Sequence, residues 1–268
     1  MKRHTIQLVR GLSLAMAFTT LAAPPTLSAP PARAEKPADA KIIPVAMYVD
    51  QGVSGKGPEM LDDKFYKDTE FRIIGLRAGD IRERKLKGFR VLIVPGGSGK
   101  GVATALGEEG RTAIKEFVEN GGTYVGICAG CYLASCQYDW SLHILPAKLK
   151  DTANWERGRA ILAITLTKDG KQWFGRTQDE VKTMYHNGPV LEPSPEAKDT
   201  LIPLAIYKEE VTRKGAKDGL MVNTPAITAN RYGQGWVISI SPHPEQTPDL
   251  KDLVPEAIRW AMKSPMKK

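Results

Sequence analysis

From residue 41 onward, short apolar runs alternate with amphipathic stretches. Four of these runs have the length of buried strands, at 42–49, 71–76, 89–94 and 123–127. The segments 58–67 and 108–120 repeat their apolar residues with the period of a helix, and Gly121-Gly122 ends the second one. Strands that alternate with helices predict an α/β protein whose mostly parallel sheet has helices on both faces.

The second half of the chain is less regular. Apolar runs predict four further strands, at 160–167, 201–207, 226–231 and 236–240. The last two flank Tyr232-Gly233-Gln234-Gly235, which predicts a β-hairpin. A closing amphipathic helix is expected over 249–263. No repeat and no long linker divides residues 41–268, so we expect them to form one domain.

The first 34 residues have the features of a secretory signal peptide. A basic start precedes an uncharged apolar stretch at 11–23, and Ala32-Arg33-Ala34 matches the small-residue cleavage pattern. A helix over 11–23 reaches only about 20 Å, which is short for a bilayer span. We therefore expect cleavage after Ala34, a flexible lead-in at 35–40 and an exported, periplasmic or secreted protein. An uncleaved membrane anchor is the alternative.

Composition narrows the class of protein. The 268 residues are 42% hydrophobic and 25% charged, which excludes wholesale disorder, and three cysteines cannot build a disulfide-stapled mini-fold. The net charge is +8, of which the predicted signal carries half. The remaining excess is scattered, so we expect a solvated surface and no nucleic-acid partner. No later segment is long and apolar enough to predict a membrane span, and the sequence sets no oligomeric state.

The first candidate for chemistry is Gly126-Ile127-Cys128-Ala129-Gly130, which follows an apolar strand and precedes a segment that can begin a helix. This G-x-nucleophile-x-G pattern is typical of a sharp strand-to-helix turn that exposes its central side chain. At a helix N-terminus the dipole favours a thiolate. Cys128 is therefore a candidate nucleophile. A buried structural cysteine in an ordinary turn is the alternative.

A second fragment, Ser241-Pro242-His243-Pro244-Glu245, follows the last predicted strand. A thiol nucleophile needs a base, and the base needs a group that fixes its tautomer. His243 can supply the first and Glu245 the second. Without the cysteine elbow, a surface histidine in a proline-rich turn would be the favoured interpretation.

The third fragment is Pro95-Gly96-Gly97-Ser98-Gly99, at the end of another predicted strand. Parallel sheets bind ligands beyond the carboxyl ends of their strands, where a glycine loop can aim N–H groups at an oxyanion. We expect Gly97 and Ala129 to supply two such donors. A phosphate loop is excluded because Val94 occupies its first glycine position and Gly101 the position of its Ser or Thr. No nucleotide or other cofactor is implied.

Together, these fragments make the chain resemble the class I glutamine amidotransferase superfamily. Its elbow Cys128-Ala129-Gly130-Cys131-Tyr132 and the downstream Tyr185-His186-Asn187-Gly188 are similar to the amidotransferase-like N-terminal domain of eukaryotic-type biotin–protein ligases. The resemblance implies a flavodoxin-like three-layer sandwich and a Cys128–His243–Glu245 triad. It also implies that the hairpin leads into the His-Pro-Glu loop.

This sequence departs from the pattern of the superfamily at one position. Glutamine-using members have Gln four residues after the nucleophile, where Tyr132 stands here. Glutamine is therefore a poor candidate substrate, and an exported hydrolase, as the gamma-glutamyl hydrolases are, fits the predicted compartment better. We expect a small-molecule or peptide-like amide substrate and a thioester on Cys128. The expected substrate-binding residues are Gly96, Tyr132, Tyr185, His186 and Asn187.

Two other functions stay open at this point. Cys128 and Cys131 form a C-x-x-C, the spacing of dithiol oxidoreductases, which oxidising compartments favour. A domain of the same fold that binds a ligand without turnover is the other alternative. Metal binding by the cysteines is disfavoured because no second paired-ligand motif exists. The five tryptophans are interpreted as packing residues rather than as a carbohydrate or aromatic-ligand site.

Overall fold

A computed structural model describes residues 42–197, 199–212 and 218–264. The predicted signal peptide at 1–34 and the lead-in at 35–40 lie outside the described residues. Among the described helices, none combines the length and the apolar character that crossing a bilayer requires.

Each of the eight predicted strands has a counterpart among the strands of the described residues. The described strands are β1 (Ile43–Tyr48), β2 (Phe71–Leu76), β3 (Val91–Val94), β4 (Thr123–Ile127), β5 (Ala147–Leu149), β6 (Arg159–Leu166), β7 (Glu180–His186), β8 (Leu191–Pro193), β9 (Ile202–Tyr207), β10 (Pro225–Tyr232) and β11 (Gly235–Ile240).

The α-helices of the described residues are α1 (Gly57–Lys67), α2 (Ala78–Arg82), α3 (Gly99–Glu119), α4 (Ala129–Ala134), α5 (Lys168–Trp173) and α6 (Leu253–Lys263). Two 3₁₀ turns, Pro244–Gln246 and Pro248–Leu250, precede α6, so the closing helix begins four residues later than its sequence pattern predicts.

Nine strands form the central sheet, in the order β2-β1-β3-β4-β11-β10-β9-β6-β7. The first five are parallel to one another, and each later neighbour pairs antiparallel. The predicted hairpin is confirmed as β10 and β11. Its second strand lies beside β4 in the parallel half, so the C-terminal hairpin joins the two halves of the sheet.

Two hydrophobic cores lie on opposite faces of the sheet, because successive side chains of a buried strand point to opposite sides. In β3, Val91 and Ile93 belong to the core that α6 covers, whereas Leu92 and Val94 belong to the core that α3 covers. The result is the predicted three-layer α/β sandwich with helices on both faces.

The start predicted for the helix at 108–120 is wrong, because α3 begins at Gly99. Gly107 has non-helical angles (φ 64°, ψ −171°) that kink the helix and reset the phase of its apolar face, so the periodicity is regular only after it. The Ser98 hydroxyl caps the true start by accepting a 3.1 Å bond from the Gly101 N–H.

Candidate active site

The three sequence fragments meet because they follow neighbouring parallel strands. Val94 at the end of β3 pairs with Gly126 in β4, and Ile127 at the end of β4 pairs with Ile240 at the end of β11. The glycine loop, the cysteine elbow and the His-Pro-Glu loop therefore leave the sheet at one carboxyl edge. This is the edge at which α/β sheets bind ligands.

The elbow is a tight turn held by close backbone packing. A Cβ atom on Gly126 would lie 2.6 Å from the Gly130 carbonyl carbon, and one on Gly130 would lie 2.4 Å from the Val94 carbonyl oxygen. Cys128 itself has φ 49° and ψ −96°, a left-handed conformation that a non-glycine residue rarely adopts. Its helix, α4, has only six residues, so the dipole contribution is smaller than the sequence suggests.

His243 and Glu245 form a buried pair. The Nδ1 atom of His243 lies 2.7 Å from Oε1 of Glu245, and the two residues are only 5% and 3% exposed. Glu245 Oε2 is buried and has no hydrogen-bond partner among the described residues, so the imidazole and the Gln246 amide are the partners of this carboxylate. His243 and Glu245 are separated by one residue in the sequence, and the 3₁₀ turn Pro244–Gln246 brings their side chains together.

Strand β7 fixes the backbone of His243. The His243 N–H donates a 2.6 Å bond to the Met184 carbonyl. The Thr247 hydroxyl donates to the His243 carbonyl at 3.1 Å and accepts a 2.9 Å bond from the Met184 N–H. β7 is not among the predicted strands, although Val181, Thr183 and Tyr185 alternate as buried positions in a pattern typical of a strand.

The surroundings of His243 favour its protonated form. Burial by itself lowers the pKa of His243, but the side chains of Cys128 and Glu245 outweigh this effect and raise the pKa to about 10. A charged imidazolium beside a sulfur atom is the arrangement that stabilises a thiolate. Cys128 Sγ also lies 3.5 Å from the carbonyl oxygen of His186.

The glycine loop is held against the segment that follows β1. The Ser98 N–H donates to the Gly52 carbonyl at 2.7 Å, and the Ser54 N–H donates to the Gly96 carbonyl at 3.1 Å. Gly97 has φ +144°, and a Cβ there would lie 2.0 Å from the Gly52 oxygen, so glycine is required. Within the described ranges, the N–H groups of Gly97 and Ala129 have no bonded acceptor.

Cys128 and His243 line one cavity of about 560 Å³. Gly96 lies between them, since a Cβ on it would be 3.7 Å from the Cys128 Cβ and 2.9 Å from the His243 Cε1. The thiol is reached from this cavity although Cys128 is only 6% exposed. Other lining residues are Gly97, Tyr132, His186 and Asn187, together with Lys56, Trp155, Arg159 and Gln246.

Four of the five expected substrate-binding residues line this cavity, and Tyr185 does not. Tyr185 is fully buried, and its hydroxyl donates a 2.7 Å bond to the Gly188 carbonyl beneath the cavity wall. Tyr132 donates to the Asn187 carbonyl at 3.2 Å, and the Asn187 side chain accepts a 2.8 Å bond from the Gly158 N–H. The first bond joins the elbow helix to the turn after β7, and the second joins that turn to Gly158, just before β6.

Lys56, Trp155, Arg159 and Gln246 are lining residues that the sequence analysis missed. The first three lie far along the chain from the Cys and His fragments, and no motif marks them. Gln246 directly follows Glu245, and its Nε2 lies 3.2 Å from His243 Nδ1. Of these four residues, only Gln246 could have been found from the sequence, because it lies beside the His-Pro-Glu fragment.

The environment of Cys131 does not suit a redox partner for Cys128. Cys131 is fully buried, its thiol donates to the Gly126 carbonyl at 3.2 Å, and burial raises its pKa well above the usual value. Cys136 lies beyond α4 and donates to the Ala147 carbonyl at 3.2 Å, and all three cysteines are free thiols. The part of the chain that the structure describes contains no group of three His, Cys, Asp or Glu residues placed to hold a metal ion.

The described residues have an α/β fold of the kind seen in glutamine amidotransferase structures. The fold matches solved structures over most of their length. A glutamine amidotransferase has 18% identity and a TM-score of 0.56, covering 81% of this chain and 98% of its own. A cytoplasmic protein from Salmonella typhimurium has 13% identity and a TM-score of 0.56, with coverages of 82% and 99%. A glutamine amidotransferase from Thermotoga maritima has 14% identity and a TM-score of 0.51, with coverages of 81% and 82%.

A narrower relation holds for the centre of the chain. Residues 82–149 match the family model of the biotin-protein ligase N-terminal region. The matched stretch runs from the end of α2 to the end of β5 and contains the Cys128 elbow. No curated protein matches the sequence. The chain therefore has the glutamine amidotransferase-like fold, with a segment related to the N-terminal region of biotin–protein ligases.

Proposed function

We propose that this protein is an exported cysteine-dependent hydrolase that cleaves an amide or related acyl bond through a thioester on Cys128. The observation that carries the proposal is the 2.7 Å pair of His243 and Glu245 on the cavity that Cys128 lines. A nucleophile, a base and a group that orients the base are the parts that acyl transfer needs.

In the first half-reaction, the Cys128 thiolate attacks the carbonyl carbon and forms a carbon–sulfur bond. The tetrahedral intermediate then collapses, the carbon–nitrogen bond breaks, and His243 gives its proton to the leaving amine. Glu245 keeps the imidazole oriented through Nδ1. The carbon–nitrogen bond has then been replaced by a thioester.

In the second half-reaction, water attacks the thioester carbonyl. His243, now neutral, accepts a proton from that water, and the carbon–sulfur bond breaks to release the carboxylic acid. The sulfur leaves as a thiolate beside the imidazolium, which restores the starting state. Each turnover thus consumes one amide and one water, and no cofactor takes part.

The negative charge on the carbonyl oxygen needs donors in both half-reactions. The Gly97 and Ala129 N–H groups support this role because no described residue accepts a hydrogen bond from either. Removing one such donor from an acyl-transfer site typically costs about 100- to 1000-fold in rate.

Thiol reactivity is the direct test of the proposal. Iodoacetamide should label Cys128 rapidly at neutral pH, and His243→Ala should slow the labelling while Cys131→Ala leaves it unchanged. Activity-based probes with acyl-amide and gamma-glutamyl groups should then modify the wild-type protein and not Cys128→Ser. Slow labelling that is insensitive to His243 would contradict the proposal.

The second candidate is a ligand-binding domain without turnover, and Tyr132 in the usual glutamine position supports it. Its hydroxyl bonds to the Asn187 carbonyl and fills part of the cavity wall. This candidate predicts slow labelling, no burst with amide or ester substrates, and full ligand affinity in Cys128→Ser.

Export and partners belong to the same proposal. The basic start, apolar stretch and Ala32-Arg33-Ala34 support secretion of a mature protein that acts on small-molecule or peptide-like amides without a nucleic-acid partner. Expression of the full chain in a Gram-negative host should yield a periplasmic protein whose N-terminal residue is Glu35. A full-length product in the membrane fraction would instead indicate an uncleaved anchor.

A further inference from the structure

A second cavity of about 330 Å³ is rich in aromatic side chains. The rings of Tyr138 and Trp140 are stacked with their centroids 4.6 Å apart and their planes 10° from parallel. Trp155 completes this wall and is 50% exposed. We call the cavity bounded by Tyr138, Trp140 and Trp155 the aromatic cleft.

The aromatic cleft adjoins the cavity of Cys128. Gly97, Tyr132 and Trp155 line both. Gly97 also belongs to the loop whose N–H group is the proposed oxyanion donor. A molecule whose carbonyl lies at the thiol therefore has the aromatic cleft beside it, across the wall that these three residues share.

The five tryptophans have different surroundings, and Trp140 stacks on Tyr138 and packs against the core under α3. Trp173, Trp236 and Trp260 pack on one another, with ring centroids 3.8 to 5.7 Å apart, next to the core under α6. Packing explains these three, as the sequence analysis expects. Trp155 has no aromatic partner of this kind within the described ranges, and half of it faces solvent. Because Trp155 lines both cavities and is half exposed, its indole face is available to contact a ligand.

Apart from the Cys128, His243 and Glu245 group, the charged side chains that line the two cavities are all cations. Lys56 and Arg159 line the Cys128 cavity, and Lys100 lines the aromatic cleft. Among the residues that the structure describes, no aspartate or glutamate lines either cavity. A ligand with a negative charge is favoured here, because it meets cations without a carboxylate competitor.

We propose that the aromatic cleft is a substrate subsite that stacks an aromatic ring of an anionic acyl compound, while Lys56 and Arg159 face its negative charge. This assignment rests on the proposed function, because a substrate subsite presupposes a reaction at Cys128. Stacking needs a flat, apolar ring face, which Trp155 and the Tyr138–Trp140 pair present. The subsite would select among amides by the group that the substrate carries next to its reacting carbonyl.

The test measures binding to Cys128→Ser, so that it does not depend on turnover. Tryptophan fluorescence titrations compare the affinity for 4-phenylbutyrate with that for three other ligands. Hexanoate lacks the aromatic ring, and 4-phenylbutyramide lacks the negative charge. Methyl glucuronide replaces the aromatic ring by a sugar ring. We expect 4-phenylbutyrate to bind roughly 3- to 10-fold more tightly than each of the others. Trp155→Ala should remove the advantage over hexanoate, and Arg159→Gln should reduce the advantage over the amide.

Matched controls keep the outcome specific. Ile74→Ala removes another exposed apolar side chain on β2, and Arg72→Gln removes another exposed cation on that strand; neither should change the preferences. Tyr138→Leu gives a second test of the stacked wall. Equal binding of 4-phenylbutyrate and hexanoate, or a ring preference that survives Trp155→Ala, would overturn the subsite. Tighter binding of methyl glucuronide would overturn the aromatic ring as its ligand. Failure of the proposed function shows separately, as slow labelling of Cys128.

Discussion

The backbone N–H of Cys128 donates a 2.9 Å hydrogen bond to the carbonyl of Ile240, the last residue of β11. This bond continues the β4–β11 ladder by one residue beyond Ile127. It therefore joins the cysteine elbow to the strand that leads into His243. Two fragments separated by more than one hundred residues of sequence become neighbours through this one pairing.

Glu245→Gln tests whether the carboxylate orients and charges the imidazole. The amide keeps the shape of the side chain but loses the charge that raises the pKa of His243. We expect the rate of hydrolysis to fall by roughly 100- to 10,000-fold, and thiol labelling at neutral pH to slow by a smaller factor, because an ordinary thiol is still a few per cent thiolate at that pH. Stopped-flow labelling measures the change. A rate equal to that of the wild type would show that Glu245 has no such role.

Gly96→Ala and Gly97→Ala separate the site from the fold. On Gly96 a Cβ would lie 2.9 Å from the His243 ring, so we expect lost reactivity with little loss of thermal stability. On Gly97 it would lie 2.0 Å from the Gly52 carbonyl oxygen at a φ of +144°, so we expect a marked fall in stability. Thermal unfolding and labelling rates check both variants. Equal effects of the two on stability would contradict this distinction.

Stability should depend on the protonation of His243. Contacts with Cys128 and Glu245 outweigh burial and raise its pKa from 6.5 to about 10, so the folded state binds the proton more tightly than the unfolded state. The stabilising contribution is therefore complete below about pH 6.5 and is lost as pH rises towards 10. Urea unfolding of the wild type and His243→Gln should show a stability difference that shrinks over this range. Parallel profiles would refute the linkage.

A buried ion pair supports the loop that carries Trp155. Arg157 is 2% exposed, and its Nη1 lies 2.8 Å from Oδ2 of Asp151. Arg157→Leu leaves a buried carboxylate without this partner, and we expect a loss of about 3–5 kcal/mol in the free energy of unfolding. Replacing both residues by Leu should cost less than the single change. Urea denaturation measures both, and a double variant that is less stable than the single one would contradict the prediction.

Cys131→Ala distinguishes hydrolysis from dithiol redox chemistry. Cys131 is fully buried, and burial raises its pKa well above the usual value, so we expect it to take no part in reactions at Cys128. Labelling of Cys128 should stay within about twofold of the wild type, because hydrolysis needs only one thiol. Insulin reduction that is present in the wild type and lost in Cys131→Ala would favour the redox function instead.

Local sequence was sufficient for much of the fold and for naming candidate residues for chemistry. Strand runs such as 71–76, the hairpin of β10 and β11 and the glycine-flanked elbow all follow from neighbouring residues. Their signals are local because side-chain alternation, turn residues and glycine conformations act over a few positions. The same reasoning marked Cys128, His243 and Glu245 as candidates.

Strand order and the cavity walls depend on contacts between distant residues, which no local pattern encodes. Nothing near β11 specifies that it pairs with β4 rather than with another strand, and that pairing brings the His-Pro-Glu loop to the edge where Cys128 lies. The antiparallel half of the sheet, the burial of Tyr185 and the exposure of Trp155 arise in the same way. Each depends on which apolar faces pack together across the whole chain, because burial is a property of the assembled core.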